Sequence, residues 1–242
     1  MCLALVAVVA SVSGLTVALN ERAVELDAST SALLWVVNAY TLTMAALLLP
    51  IGELGDRIGR RRILVIGLGV FAVANGLAMT ADSAGVMTAY RVLAGVGAAM
   101  IMPATLSTLT SVFPEEERGR AVGIWAGFAG AGGVLGLFSS AILLDYASWQ
   151  WLFALPIATA VIALAATLAL VPDTRSSETH PLDIVGGLLS ALAVGGIVLG
   201  VHEGPEVGWT APITLLGLVG GAAALVGYVV WALRRTNPLL DV

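Results

Sequence analysis

An all-α integral membrane protein with eight transmembrane helices is the fold class that this 242-residue sequence predicts. Two observations carry that prediction. The chain is 59% hydrophobic and only 11% charged, with a mean hydropathy of +0.98, whereas a soluble domain needs about 25% charged residues to cover its surface. The charges also fall in clusters: cutting at every Asp, Glu and Arg leaves eight charge-free stretches of at least 19 residues, at 1–20, 28–52, 63–81, 92–114, 121–144, 146–172, 184–202 and 207–233. About 20 apolar residues rising 1.5 Å each cross a hydrocarbon core roughly 30 Å thick. Backbone in lipid must satisfy its own hydrogen bonds, and the strands of a spanning barrel alternate residue by residue. The runs Ile63 to Ala74 and Ala158 to Val171 show no alternation, which leaves helices.

Taken in order, the first stretch has no basic n-region. Its charges, Glu21 and Arg22, follow it, and no small-residue cleavage site is convincing, so it reads as a retained span rather than a signal peptide. The second ends at Gly52, where a reversal rich in Gly and Arg leads to the third. The fourth begins near Ala84 and carries Arg91. Glu115, Glu116 and Glu117 after Pro114 read as the acidic first turn of the fifth helix. That helix holds Gly127, Gly130, Gly132, Gly133 and Gly136, enough glycine to bend it. In the last two spans Gly196 and Gly200, and Gly217 and Gly221, stand four apart, the spacing that lets helix backbones approach closely. Trp35 and Trp209 lie at span ends and mark membrane interfaces.

Arginine placement predicts the orientation. With a cytoplasmic start, inside segments hold Arg57, Arg60, Arg61, Arg62, Arg118, Arg120, Arg175, Arg234 and Arg235, against Arg22 alone outside. This positive-inside bias puts both termini in the cytoplasm. All 11 basic residues are Arg and the net charge is -5, so the chain lacks the polybasic footprint of a nucleic-acid binder. Catalytic chemistry finds no support: there is one cysteine, Cys2, and the two histidines, His180 and His202, fall on opposite sides of the membrane in this topology. No catalytic residue, metal site or cofactor is expected.

One segment is more specific than its charge requires. It reads Gly52-Glu53-Leu54-Gly55-Asp56-Arg57-Ile58-Gly59-Arg60-Arg61-Arg62. The glycines permit a tight reversal, and Asp56 can pair with the arginines or accept from exposed N–H groups of a neighbouring helix, forming a cytoplasmic charge latch. Arg91 is the second outlier. Seven residues into the fourth span it lies roughly 10 Å deep, where a buried Arg costs about 2.5–3.5 kcal/mol unless it snorkels or meets a partner or cavity.

The Gly52–Arg61 arrangement resembles the loop after the second helix of the major facilitator superfamily. Tyr90-Arg91-Val92-Leu93-Ala94-Gly95-Val96-Gly97-Ala98-Ala99, followed by Pro103, is similar to that family's fourth-helix motif. Ser148-Trp149-Gln150-Trp151-Leu152-Phe153 is similar to the start of the sixth helix in its drug-exporting branches, with Gln150 in place of Arg. The last two spans, ending in Asn237-Pro238-Leu239-Leu240, resemble the central hairpin of the fourteen-helix drug:proton antiporters.

The resemblance implies a six-helix transporter bundle over 1–172, a cytoplasmic linker over 173–182, a two-helix transmembrane hairpin over 183–233 and a cytoplasmic tail over 234–242. It implies a multi-pass plasma-membrane carrier that exports lipophilic, drug-like compounds by alternating access. Gly52, Leu54, Gly55, Asp56, Arg57, Gly59, Arg60 and Arg61 would form the gating loop. A central cavity would be lined by Thr16, Asn38, Tyr40, Arg91, Thr105 and Trp125, with Gly95, Pro103, Gly132 and Gly136 bending the helices. The family's first-helix Asp falls at Ser11, and Asn38 stands where some relatives carry Asp; neither replacement titrates. The fifth helix has Gly136-Leu137 and Ser140-Ala141 where the antiporters carry Gly-Pro and Gly-Gly. Proton antiport therefore has weaker support than the fold. The expected partners are the lipid bilayer, a small lipophilic substrate, and a second transporter half or another copy of the chain, because alternating access needs two bundles. The competing expectation is a degenerate half-transporter that packs in the membrane without transporting alone.

Overall fold

The computed structural model describes residues 1–25, 29–171 and 183–235, with 17–25 and Thr30 described as backbone only. The expected linker, most of the expected tail, Arg175, His180 and the Asn237–Leu240 segment lie outside the described residues. Eight α-helices run in order: α1 (Cys2–Glu25), α2 (Thr30–Ile58), α3 (Arg60–Ala78), α4 (Ala84–Val112), α5 (Glu115–Tyr146), α6 (Ala154–Leu170), α7 (Ile184–Val207) and α8 (Pro212–Ala232). A 3-10 turn, Trp149–Phe153, leads into α6. Among the described residues no strand forms. Seven helices, α2 to α8, are long and apolar enough to cross a membrane; in α1 the corresponding apolar segment is the shorter Cys2–Thr16.

Local sequence sets the helix ends. Ser29 and Ser83 cap α2 and α4, accepting from the N–H groups of Ala32 at 3.3 Å and Val86 at 3.4 Å, which satisfies donors that a helix start leaves orphaned. Pro114 precedes α5, and Glu115, Glu116 and Glu117 occupy its first turn, as expected. The Gly52–Arg62 segment is not a loop. It is the end of α2 and the start of α3, with only Gly59 outside helix, at φ +109°. That backbone conformation is one which side chains other than glycine rarely adopt, so one residue reverses the chain.

In the packing, α4 lies between α2 and α3, α1 lies against α5 and α6, and α3 meets α6. The shared core holds Ala4, Val8, Tyr40, Leu64, Phe71 and Ala98. Lipid tails are as apolar as leucine, so close backbone approach rather than water exclusion stabilises such contacts. A Cβ on Gly136 would lie 2.7 Å from Ala10 Cα, one on Gly132 3.0 Å from Val6 Cα, and one on Gly97 2.8 Å from the Phe71 nitrogen. The last two helices pack on each other and α7 packs on α2, with Gly196 facing Gly221 and Gly217 facing Gly200. Outward faces carry large apolar side chains such as Val73, Phe138, Leu192 and Leu216, which suits contact with lipid.

Candidate functional site

Two polar systems stand out from the apolar bundle. The first is the α2–α3 junction. Asp56 accepts from Arg60 Nε at 3.0 Å, one helical turn apart across Gly59. Arg60 also donates to the carbonyl of Ser107 on α4 at 2.8 Å, and Arg61 donates to the carbonyl of Leu168 on α6 at 2.7 Å. Cations placed on the last turns of helices meet the negative end of the dipole, so these arginines tie α4 and α6 to the junction. Arg57 pairs with Glu53 within α2. Gly52 brings α2 within contact of Pro103 on α4, and Gly55 meets Ile63.

The second system surrounds Arg91, which is fully buried and does not snorkel. Its Nη1 donates to Ser11 Oγ at 2.8 Å and its Nε to the Val36 carbonyl at 3.3 Å. The guanidinium lies over the Tyr40 ring, 4.2 Å from the centroid, a cation–π arrangement. Ser11 passes its own hydroxyl proton toward Asn75 Oδ1 at 3.1 Å, and Asn75 donates to the Phe71 carbonyl at 2.7 Å. Tyr40 donates to the Val8 carbonyl at 3.0 Å. Helices α1, α2, α3 and α4 thus converge on one guanidinium whose Nη2 has no partner. Gly95, one turn along α4, admits α2: a Cβ there would lie 2.7 Å from the Tyr40 carbonyl oxygen.

The remaining expected site residues separate. Thr105 and Trp125 do meet, through indole Nε1 donating to Thr105 Oγ1 at 3.3 Å. Asn38 instead faces α7, where its amide bonds His202, a half-buried histidine. Together with Trp35 and Thr41 they border a cavity of about 50 Å³. Thr16 is exposed and bonds only the Val12 carbonyl, at 3.1 Å. A larger, mainly apolar cavity of about 460 Å³ lies among the ends of α1, α4, α5 and α6, bordered by Cys2, Thr108, Phe113, Glu117, Arg120 and Leu170. None of Asn38, Tyr40, Arg91, Thr105 and Trp125 lines it. Asn75 escaped the sequence reading because it carries no charge, although an amide inside an apolar span is itself the signal of an internal partner.

Compared with protein family models, the sequence matches the Major Facilitator Superfamily over residues 1–232. The chain belongs to that superfamily. Among curated major facilitator proteins, the methylenomycin A resistance protein of Bacillus subtilis is 33% identical over 233 residues, 95% of this chain and 49% of that one. The multidrug efflux pump LfrA of Mycolicibacterium smegmatis is 39% identical over 218 residues, 86% of this chain and 42% of that one. This major facilitator chain therefore spans about half or less of the curated relatives it matches. A solved bacterial homolog of the human lysosomal transporter Spinster, inward-facing and unoccupied, shares the fold with a TM-score of 0.54 and 19% identity, over 94% of this chain and 59% of that one. The superfamily match and the apolar helices of spanning length make this chain a multi-pass membrane segment of a major facilitator protein.

Proposed function

We propose that this chain forms the N-terminal bundle and central hairpin of an exporter of lipophilic, drug-like compounds in the plasma membrane, working by alternating access. The observation that carries the reading is the junction latch: Asp56 holds Arg60, and Arg60 holds the carbonyl of Ser107 on the same helix that carries Arg91. A charge cluster at this end of α2, α3 and α4 is placed to meet a second bundle as the two rock against each other. Gly52, Leu54, Gly55, Gly59, Arg57 and Arg61 complete the gate. Tyr40, Arg91, Thr105, Trp125 and Asn38 supply polarity along the pathway, and Gly95, Pro103, Gly132 and Gly136 the places where its helices flex. The domains are the bundle over 1–172, linker 173–182, hairpin 183–233 and tail 234–242, with eight spans. The second bundle comes from a further part of the same polypeptide, another chain or a second copy.

Orientation rests on charge. Among the described residues, Arg57, Arg60, Arg61, Arg62, Arg118, Arg120, Arg234 and Arg235 belong to the end where α2 turns into α3, α4 into α5, and α8 stops. Asp82, Asp145, Glu203 and Glu206 belong to the other. Positive-inside placement puts the arginine end in the cytoplasm. Ser11 cannot titrate, so exchange against protons would run through a group elsewhere in the complete transporter. That neutrality also favours a second reading, a half-transporter that packs in the membrane and exports nothing alone.

Ethidium retention by energised bacteria expressing the chain separates the two. Export predicts less retained dye than in cells with an empty vector, and loss of most of that difference in Asp56→Asn at equal membrane level. Retention equal to the vector control in both strains overturns export by this chain alone or paired with a second copy.

A further inference from the structure

The Gly52–Arg62 segment has a second arm, directed away from the bundle. Glu53, paired with Arg57, also accepts the backbone N–H of Asp183 at the start of α7, at 3.2 Å. Asp183 is 1% exposed. Its Oδ1 caps α7 by accepting from Gly186 N–H at 3.0 Å, and accepts from the indole Nε1 of Trp231 on α8 at 2.9 Å. Arg235 lies 4.0 Å from the same oxygen and over the Trp231 ring, 5.0 Å from its centroid. One carboxylate of α2 thus reaches the N-cap residue of α7, and through it the end of α8.

Small residues bring α7 close to α2, but the packing of this interface leaves space beside them. Midway along it, α2, α7 and α8 leave an apolar groove of about 680 Å³ beside Thr43, Ala46, Gly195 and Leu216. At the far end the contact is the Asn38–His202 bond. The hairpin therefore meets α2 through two polar ends and, between them, close small-residue contacts such as Gly195 on Ala46 beside the unfilled groove, and the Glu53 end is the more extensively bonded.

We infer that Glu53 is a positioning residue that clamps the α7–α8 hairpin to the gating segment, so that the hairpin is a fixed part of the bundle's inner end and travels with α2. In this arrangement the segment divides its charges: Arg60, paired with Asp56, and Arg61 hold α4 and α6, while Glu53, paired with Arg57, holds the hairpin. The inference stands whether or not the chain transports.

Disulfide cross-linking of the full chain in membranes tests it, with Cys2→Ser as background. A Cβ on Gly187 would lie 3.2 Å from that of Pro50, and one on Gly195 3.2 Å from that of Ala46, both close to the Cβ spacing of a disulfide after a shift of a few tenths of an ångström. The Pro50→Cys/Gly187→Cys pair reports the clamped end, the Ala46→Cys/Gly195→Cys pair the middle. Both pairs should cross-link in the parent. Glu53→Leu should slow the inner pair about tenfold, the factor one charge-assisted hydrogen bond is worth, and the middle pair no more than about twofold. Glu53→Gln, which keeps an acceptor oxygen, should restore most of the inner rate. Trp231→Phe, which removes the indole donor, should slow the inner pair severalfold. Unchanged inner rates in both Glu53→Leu and Trp231→Phe, equal slowing of both pairs, or no cross-link in the parent each overturn the clamp.

Discussion

Arg91 is held by a hydroxyl, a carbonyl and an aromatic face, and Ser11 is the member of that set that can be changed with least disturbance. Ser11→Ala leaves Nη1 of a buried guanidinium and the Asn75 carbonyl without their shared partner, and should cost about 1–3 kcal/mol. Ser11→Thr keeps the hydroxyl that serves both partners and should recover most of that loss. Thermal unfolding in mild detergent reads both; an unchanged midpoint in Ser11→Ala would show that the network carries no weight. The position of Arg91 was legible in the sequence because a charge inside an apolar stretch demands a partner. Its partners were not, since Ser11 and Asn75 are neutral residues on other helices and their meeting depends on the rotation of α1 and α3. The same blindness hid the Asn38–His202 contact, which joins residues 164 positions apart.

At the scale of elements, the expected spans and the observed helices agree in order, and their boundaries shift mainly where helices continue through charged residues. Helix α2 runs on through Glu53, Asp56 and Arg57 to Ile58, because i to i+4 pairing lets those charges sit on a helix surface; cutting the sequence at charges ended it at Gly52. The reversal expected over eleven residues is concentrated in Gly59. Gly59→Ala should therefore cost about 1–3 kcal/mol, the strain of a side chain at positive φ, and should loosen Asp56 from Arg60. The check is a lower unfolding midpoint together with faster proteolysis at the junction; a variant as stable and as resistant as the parent would mean that the turn tolerates a side chain.

For the molecule as a whole, the concentration of arginine at one end predicts a measurable topology. In a Cys2→Ser background, Thr210→Cys in the α7–α8 turn should react with an impermeant maleimide added to intact cells. Glu116→Cys, exposed at the start of α5, should react only after permeabilisation. The opposite pattern would invert the assignment. This expectation rests on loop charge, which acts through composition and needs no knowledge of packing. How the hairpin docks on α2 was illegible for the complementary reason: Glu53 and Asp183 are 130 residues apart, and no local pattern links them.

The neutral surroundings of Arg91 have an electrical consequence. Its charge is cancelled by none of its identified partners, and it lies seven residues along α4, roughly 10 Å from that end of a span about 30 Å long. A unit charge crossing the full thickness responds to membrane voltage by about 2.3 kcal/mol per 100 mV, so one held a third of the way across feels about 0.8 kcal/mol. Any rocking motion that moves water from one side of Arg91 to the other shifts this charge within the field, making the motion voltage-dependent even when no ion is carried.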